Sequence, residues 1–290
     1  MTRAAGYFGI VGDNTVIEEP AAIIQRLSQR RLYKSLSLYL GRRSGIQVPS
    51  VVLVEAASER ALTRIAGLEL PVMIRVDYSE LPRRKPIGGI PLLSAEIVRN
   101  VCHQLLSKGM YPLFHQNLDR FSDLCSVGIL LSRTSPEMEV EVVGRGFDAG
   151  DLRRGLVSPH ESLRVNVIEE SILYRKVISA PDYKQERERR VLRIRQLQNY
   201  ISRVNRTGIL SASLTKGGTY GGPIDSDVYL PRLYKPLGSS EVKRLCGICW
   251  TVQDSILPSL PHSDQYVVSL SRLPGKGWFL WDIYGHWYLR

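Results

Sequence analysis

The sequence predicts an α+β fold, on three observations. Helical and strand-like segments alternate through roughly the first 110 residues; from Met110 onward, strands follow one another in an antiparallel-looking run; and a hairpin pattern surrounds Pro274-Gly275-Lys276-Gly277. A doubly wound parallel sheet would need a helix between each pair of strands, and the middle of this chain does not supply them.

In chain order, GYFGIVGDNTVI alternates like a short strand and turn. PAAIIQRLSQRRLYKSLSLYLGRRSG reads as helical, with Ile23, Ile24, Leu27, Leu32, Leu36 and Leu40 as its apolar positions and Gly41 and Gly45 punctuating its end. VVLVEAA is a strand and a helix lies near Ser58 to Ala66. Val72, Met73 and Ile74 form a short buried strand that delivers Arg75 and Asp77 to its end. The proline- and glycine-rich loop after it carries Arg83, Arg84, Lys85, Gly88 and Gly89, and such a loop either covers phosphates with its amides and cations or is a solvated hairpin.

Ser94 to Lys108 has the spacing of an amphipathic helix ended by Gly109, MYPLFHQNLD is a strand entering a polar turn, and Val127 to Ser132 is another strand. Between Glu139 and Glu161 a strand places Val140 and Val142 on one face and Glu139, Glu141 and Val143 on the other, then breaks into the glycine-punctuated run that starts at Gly144-Arg145-Gly146. RVNVIEESILYRKVI is strand-like, Lys184 to Arg203 reads as one long basic helix, and Asn205 to Pro236 as a long loop. EVKRLCGICWTVQDSIL reads as a helix whose apolar face takes in Cys246 and Cys249. YVVSLSRLPGKGWFLWDIYGHWYLR is the hairpin.

Composition narrows the class. With 43% hydrophobic and 23% charged residues the 290-residue chain can bury a substantial core, which excludes disordered and collagen-like classes. No run approaches the roughly 18 apolar residues of a spanning helix, and the start lacks a secretory core, so a cytoplasmic protein with no membrane partner is expected. The four cysteines suit a reducing compartment, and the single Cys246-Gly-Ile-Cys249 pair, without a second pair at zinc spacing, reads as buried structural thiols. A net charge of +11 attracts anions: nucleotide phosphates, nucleic acid or an acidic protein. The basic segment Lys184 to Arg206 fits nucleic acid as well as a solvated face. Oligomeric state is not legible.

Several chemistries lack their signatures. The sequence has no G-x-S-x-G elbow, H-E-x-x-H pair, Walker A loop or G-x-G-x-x-G turn. Cations and carboxylates at strand ends remain, and their order resembles the ATP-grasp superfamily, most of all the nucleotide-binding domain of phosphoenolpyruvate synthase and pyruvate phosphate dikinase-like proteins. LYKSLSLYLGRRSGIQVP matches that group's lysine-bearing helix and Gly-x-x-Val-Pro element through Lys34 and Gly45 to Pro49, and PVMIRVDY places Arg75 at its phosphate-contacting arginine. YPLFHQNLD is similar to the strand whose backbone reads adenine, around His115 and Gln116. Glu141, Gly144, Gly146, Gly155, Val157 and Pro159 resemble its acidic strand and glycine run, and Asp282 fits the second acidic position of its metal hairpin. Ser269 departs from the pattern by standing where the first hairpin acid would be.

The resemblance implies two lobes with a nucleotide cleft between antiparallel sheets: 1–110 with the phosphate-binding elements, and 111–290 with the adenine hinge, basic helix and metal hairpin. It implies an ATP- and magnesium-dependent ligase or phosphotransferase, with Lys34 and Arg75 as catalytic and phosphate contacts. Gly88, Gly89, His115, Gln116 and Glu141 would help bind the nucleotide, Asp282 would hold Mg2+, and an acceptor, acidic or otherwise, is left unnamed. Two alternatives stay open: a catalytically degenerate fold that binds or scaffolds, and a basic nucleic-acid-binding protein.

Overall fold

A computed structural model describes residues 8–12, 16–17, 19–68, 72–78, 90–116, 125–143, 159–177, 199–210, 236–273 and 277–285. The fold is α+β, built on two six-stranded, largely antiparallel sheets. The chain divides into two compact units: residues 1–36, 49–118 and 191–220 make the first, and residues 37–48, 119–190 and 221–290 the second.

The first unit holds β1 (Phe8–Val11), β2 (Val16–Ile17), β3 (Val51–Val54), β4 (Val72–Tyr78), β5 (Ile90–Leu92) and β6 (Met110–Gln116), in the order β2-β1-β3-β6-β4-β5. Only β1 and β3 run parallel; every other pair in this sheet is antiparallel. A sequence boundary at 110/111 separates β6 from this lobe, whereas in the structure β6 is hydrogen-bonded between β3 and β4. Long-range ladders of this kind leave no trace in local composition.

Strand alternation gives the sheet two different faces. Val52, Val54, Val72, Ile74, Val76 and Phe114 face a core completed by α3 (Glu59–Ala66), α4 (Ala95–Leu106) and a helix over residues 199–207, here α5, through residues such as Ile65, Val101 and Tyr200. Ser58 and Ser94 start α3 and α4 by accepting hydrogen bonds from Ala61 N and Ile97 N, as expected of serine N-caps. The long basic helix expected over Lys184 to Arg203 falls mostly outside the described residues; α5 is its described end and continues to residue 207.

The early helical run is two helices, α1 (Pro20–Gln29) and α2 (Tyr33–Arg43). The break falls at Arg31, whose φ of 55° a continuous helix cannot accommodate. Arg26 pairs bidentately with Glu55 at 3.0 Å, and Arg30 donates to the Tyr111 hydroxyl at 2.7 Å, tying α1 to the ends of β3 and β6.

The second unit holds β7 (Cys125–Leu131), β8 (Glu137–Val143), β9 (Glu161–Asn166), β10 (Ser171–Val177), β11 (Tyr266–Leu273) and β12 (Gly277–Tyr284), wholly antiparallel in the order β10-β9-β8-β7-β11-β12. The stretch expected as one strand over 164–178 is a hairpin instead, turning through residues 167–170 with Glu170 at a φ of 51°. Helix α6 (Ser239–Thr251) buries Val242, Leu245, Cys246 and Cys249, as the apolar pattern implied. Its end widens into a π-type turn over Val252–Ile256, and Arg133 donates to the carbonyls of Leu257, Leu260 and Pro261 just beyond. No described helix is long and apolar enough to cross a membrane.

Candidate functional site

The first unit gathers three of the sequence-derived site residues on one face of its sheet. Along β4, Met73, Arg75 and Asp77 alternate with the core-facing residues, and His115 on β6 stands directly opposite Met73, hence on the same face. All four are buried. Lys34, near the start of α2, reaches this strand and donates from Nζ to the Val76 carbonyl at 3.2 Å.

Asp77 organises this group. One carboxylate oxygen accepts from both Ser35 N and Ser35 Oγ at 2.7 Å, and the other accepts from Tyr78 N at 3.0 Å. Helix α2 is preceded by Leu32, which has no side-chain acceptor, so a carboxylate 42 positions away satisfies one of its first amides. Burial pushes the Asp77 carboxyl up from its usual range, and the charge of Lys34 and the Ser35 and Tyr78 hydrogen bonds pull it back, leaving a net rise. The sequence reading placed Asp77 at the strand end and gave it no role. The available signal was Arg75-x-Asp77, which in a strand puts both charges on one face.

His115 is paired on both sides, with Val51 of β3 and Met73 of β4, so its backbone belongs to the middle of the sheet. Gln116 is opposite Val72. Gly88 and Gly89, with the Arg83 to Lys85 cations, lie outside the described residues.

In the second unit the register aligns residues that are far apart in sequence. Asp282 on β12 faces Ser269 on β11, Ser269 faces Gly128 on β7, Gly128 faces Glu141 on β8, and Glu141 faces Ser162 on β9. Directly opposed residues project to the same side of a sheet, so these form one polar row. Asp282 is fully buried, with Oδ1 accepting from Ile283 N at 3.1 Å, while Glu141 is exposed. Ser269 is 3% exposed, and its hydroxyl has no hydrogen-bond partner among the described residues. A buried hydroxyl in that state is costly, which marks a position where a ligand atom would be welcome. Beside it, a Cβ built on Gly128 would meet nothing within 4 Å. Two residue pairs along, on the same face, the hydroxyls of Ser126 and Ser271 bond to each other at 2.8 Å.

The sequence placed Asp282 and Glu141 in the candidate site, marked Ser269 only as a departure from the metal-hairpin pattern, and missed Gly128, Ser126 and Ser271. Alternation in YVVSLSRL does put Ser269 and Ser271 on one face, but only the register reveals what they oppose. Gly144, Gly146, Gly155 and Val157 lie outside the described residues. All four cysteines are free and buried, and burial raises the Cys102 thiol to about 12 and the Cys125 thiol to about 11, which suits packing and not nucleophilic chemistry.

The donors suit a hard cation. Magnesium takes oxygen ligands and often uses only one or two carboxylates with phosphate and water completing its shell, so Asp282 with the Ser269 hydroxyl fits a metal carried with a phosphate. Among the described residues no group of three or more His, Cys, Asp or Glu side chains could hold a metal by itself.

No family model matches the chain, and no curated protein matches it. Among solved structures, ACD1 of Ca. Korarchaeum cryptofilum in complex with coenzyme A is similar at 12% identity and a TM-score of 0.44, over 91% of this chain and 98% of that one. The dinucleotide-forming acetyl-coenzyme A synthetase 1 of the same organism, with coenzyme A, acetyl-coenzyme A and a phosphorylated phosphohistidine segment, gives 12% and 0.42 over 91% and 98%. Macrocyclase MdnC bound with precursor peptide MdnA from Microcystis aeruginosa MRC gives 7% and 0.35 over 90% of this chain and 54% of that one. Likeness at this level assigns neither a family nor a ligand to this chain.

Proposed function

We propose that the protein is an ATP-grasp-like enzyme, an ATP- and magnesium-dependent ligase or phosphotransferase. The observation that carries this reading is the polar row of the second unit, in which the buried Asp282 faces the Ser269 hydroxyl, which has no hydrogen-bond partner among the described residues, and the open position at Gly128 adjoins them. It is supported by the order in which Lys34, Arg75, His115, Glu141 and Asp282 follow one another along the sequence.

Phosphoryl and acyl-phosphate chemistry depends chiefly on positioning and on neutralising phosphate charge. Arg75, buried on the same face of β4 as Asp77, is the candidate phosphate contact of this sheet, and Lys34 lies beside the Asp77 carboxylate and donates to Val76 O. Asp282 and Ser269 would hold Mg2+, which when bound supplies charge neutralisation on the phosphates. The cluster around Asp77 fixes the start of α2 and thereby the position of Lys34.

The test is thermal or urea unfolding with Mg·ATP. A ligand held at about 100 times its Kd stabilises the folded state by about 2.7 kcal/mol. Wild type should show such a rise, Arg75→Lys should reduce it, and Asp282→Asn should lose the magnesium-dependent part while its unliganded stability stays close to wild type. Unchanged unfolding in saturating Mg·ATP would sink the proposal.

One observation favours a second reading. Ser269 stands in register with Asp282, so this pair of strands offers a single carboxylate where the resembled metal hairpin has two acids. A fold that binds nucleotide without turning it over would have this composition. Release of ADP or AMP in the presence of candidate carboxylate acceptors would eliminate it.

A further inference from the structure

The edge of a β-sheet is a row of unpaired backbone donors and acceptors, and the four edges of this protein are not alike. In the first unit they are β2, of two residues, and β5, of three. In the second, the outer side of β12 is met by Gln47, which bridges to Phe279 and accepts from Leu280 N at 2.8 Å. The other edge is β10, seven residues long, which among the described residues pairs with β9 alone. Its bulge, between Ile172 and Tyr174, adds local twist while the ladder with β9 continues from Ser171 to Val177.

This long edge is also apolar. Eight large apolar residues are exposed among the described residues, and five of them, Ile168, Ile172, Leu173, Tyr174 and Val177, fall on β10 and the turn before it. Leu173 and Tyr174 are 49% and 55% exposed. A cluster of this kind marks an interaction site, whereas single exposed apolar residues mark nothing. Its members lie on both sides of the sheet: Ile172 and Val177 are opposite the buried Val165 and Glu161, and Tyr174 is opposite the exposed Arg164. A helix or a lipid surface would cover one side. A further strand laid along β10 would meet both.

The charges identify which strand fits. Glu169 and Glu170 close the turn that enters β10, and Arg175 and Lys176 stand near its other end. Two of the four are already paired, Glu170 with Lys243 at 3.4 Å and Arg175 with Glu161 at 3.0 Å. The remaining acid, Glu169, accepts from Ser171 Oγ at 3.2 Å, and neither it nor Lys176 has an ionic partner among the described residues. We propose that β10 pairs antiparallel with β10 of a second copy of this chain, about a two-fold axis near Leu173, joining two six-stranded sheets edge to edge. Each copy's Glu169 end then lies beside the other's Lys176 end, and the apolar residues between them meet their counterparts. Parallel pairing would set like signs together, which is destabilising. The contact is isologous and closes on two copies, and the β12 edge, met by Gln47, does not extend it. None of the residues placed in the nucleotide site lies on β10, so the inference goes beyond that reading and stands or falls apart from it.

The experiment is sedimentation velocity of the full chain from about 1 to about 100 μM, the range suited to a small interface. Wild type should pass from the mass of one chain to that of two as concentration rises. Leu173→Lys with Tyr174→Lys should stay monomeric throughout. Trp250→Lys, which removes a comparably exposed apolar group from α6, should associate as wild type does. Glu169→Lys alone and Lys176→Glu alone each bring like signs together twice, once on either side of the axis, and should weaken association about fivefold or more. Both changes in one chain exchange the two ends and should restore it, a recovery specific to a strand that pairs with itself. Melting curves and circular dichroism establish that each variant is folded, and if the lysine double variant is not, the charge exchange decides. A wild type that stays monomeric up to about 100 μM overturns the proposal. So does a dimer untouched by Leu173→Lys with Tyr174→Lys, or an exchange variant as weak as the single changes. Equal loss in Trp250→Lys overturns it too, by moving the contact to α6.

Discussion

In the first unit the buried Asp77 carboxylate is engaged on both oxygens, by Ser35 N, Ser35 Oγ and Tyr78 N, with Lys34 beside it. In the second unit the buried Ser269 hydroxyl faces Asp282 with no partner among the described residues, and the neighbouring Gly128 position is open. Both regions sit on the face of a sheet built from alternating polar positions, yet the Asp77 carboxylate is spent on the structure of its own unit and the Ser269 hydroxyl is not. Burial of charged side chains therefore does not by itself identify a binding floor. What distinguishes one is a polar atom whose partner is missing next to space for a ligand.

The comparison breaks most visibly at Asp77. Asp77→Ala should cost about 3–5 kcal/mol in urea unfolding, because it leaves Lys34 buried beside no carboxylate and an α2 amide without its acceptor. Asp282→Ala should cost clearly less, its larger effect falling on ligand binding. Equal losses at the two positions would mean that Asp282 is as structural as Asp77 and that the contrast between the two faces is false.

How much of this was legible follows from which interactions are local. The serine caps of α3 and α4 and the alternation of β8 are local patterns, and the sequence shows them. Arg31 and Glu170 each break an element at positive φ without the glycine or asparagine that normally announces it, so the α1/α2 break and the β9–β10 hairpin were read as continuous. Asp77 caps a helix from another strand, so no Ser-x-x-Glu signature precedes α2. Ser269 and Asp282 were visible as residues of a hairpin, but the row they form with Gly128 and Glu141 depends on the register of four strands. Register is set by the packed sheet as a whole.

A second effect, of intermediate size, concerns pH. The folded-state pKa of Asp77 is raised above its ordinary 3.8, mainly by burial, so the folded protein binds the proton more tightly than the unfolded chain does. The contribution of this group is therefore fully present below about pH 3.8 and declines as pH rises through the raised value, by no more than about 1.4 kcal/mol per unit. Urea melts of wild type and Asp77→Asn across that range isolate it: the wild-type advantage should shrink as pH rises. An advantage that grows with pH would show that Lys34 and the three hydrogen bonds outweigh desolvation.

The smallest change is the most discriminating for the second unit. A methyl group at position 128 has open space, and Gly128 is not at positive φ, so Gly128→Ala strains nothing. Replacing a glycine inside a strand removes conformational freedom from the unfolded chain and should raise unliganded stability by roughly 0.5–1 kcal/mol. The same methyl projects from the row that holds Ser269 and Asp282, into the volume a nucleotide phosphate or its metal would need. Gly128→Ala should therefore melt slightly higher than wild type alone and gain less from Mg·ATP, with Gly128→Val exaggerating the loss. A variant that is more stable and still fully responsive to Mg·ATP would show that this side of the sheet is ordinary strand surface, and the proposed floor would have to be abandoned while the fold stands.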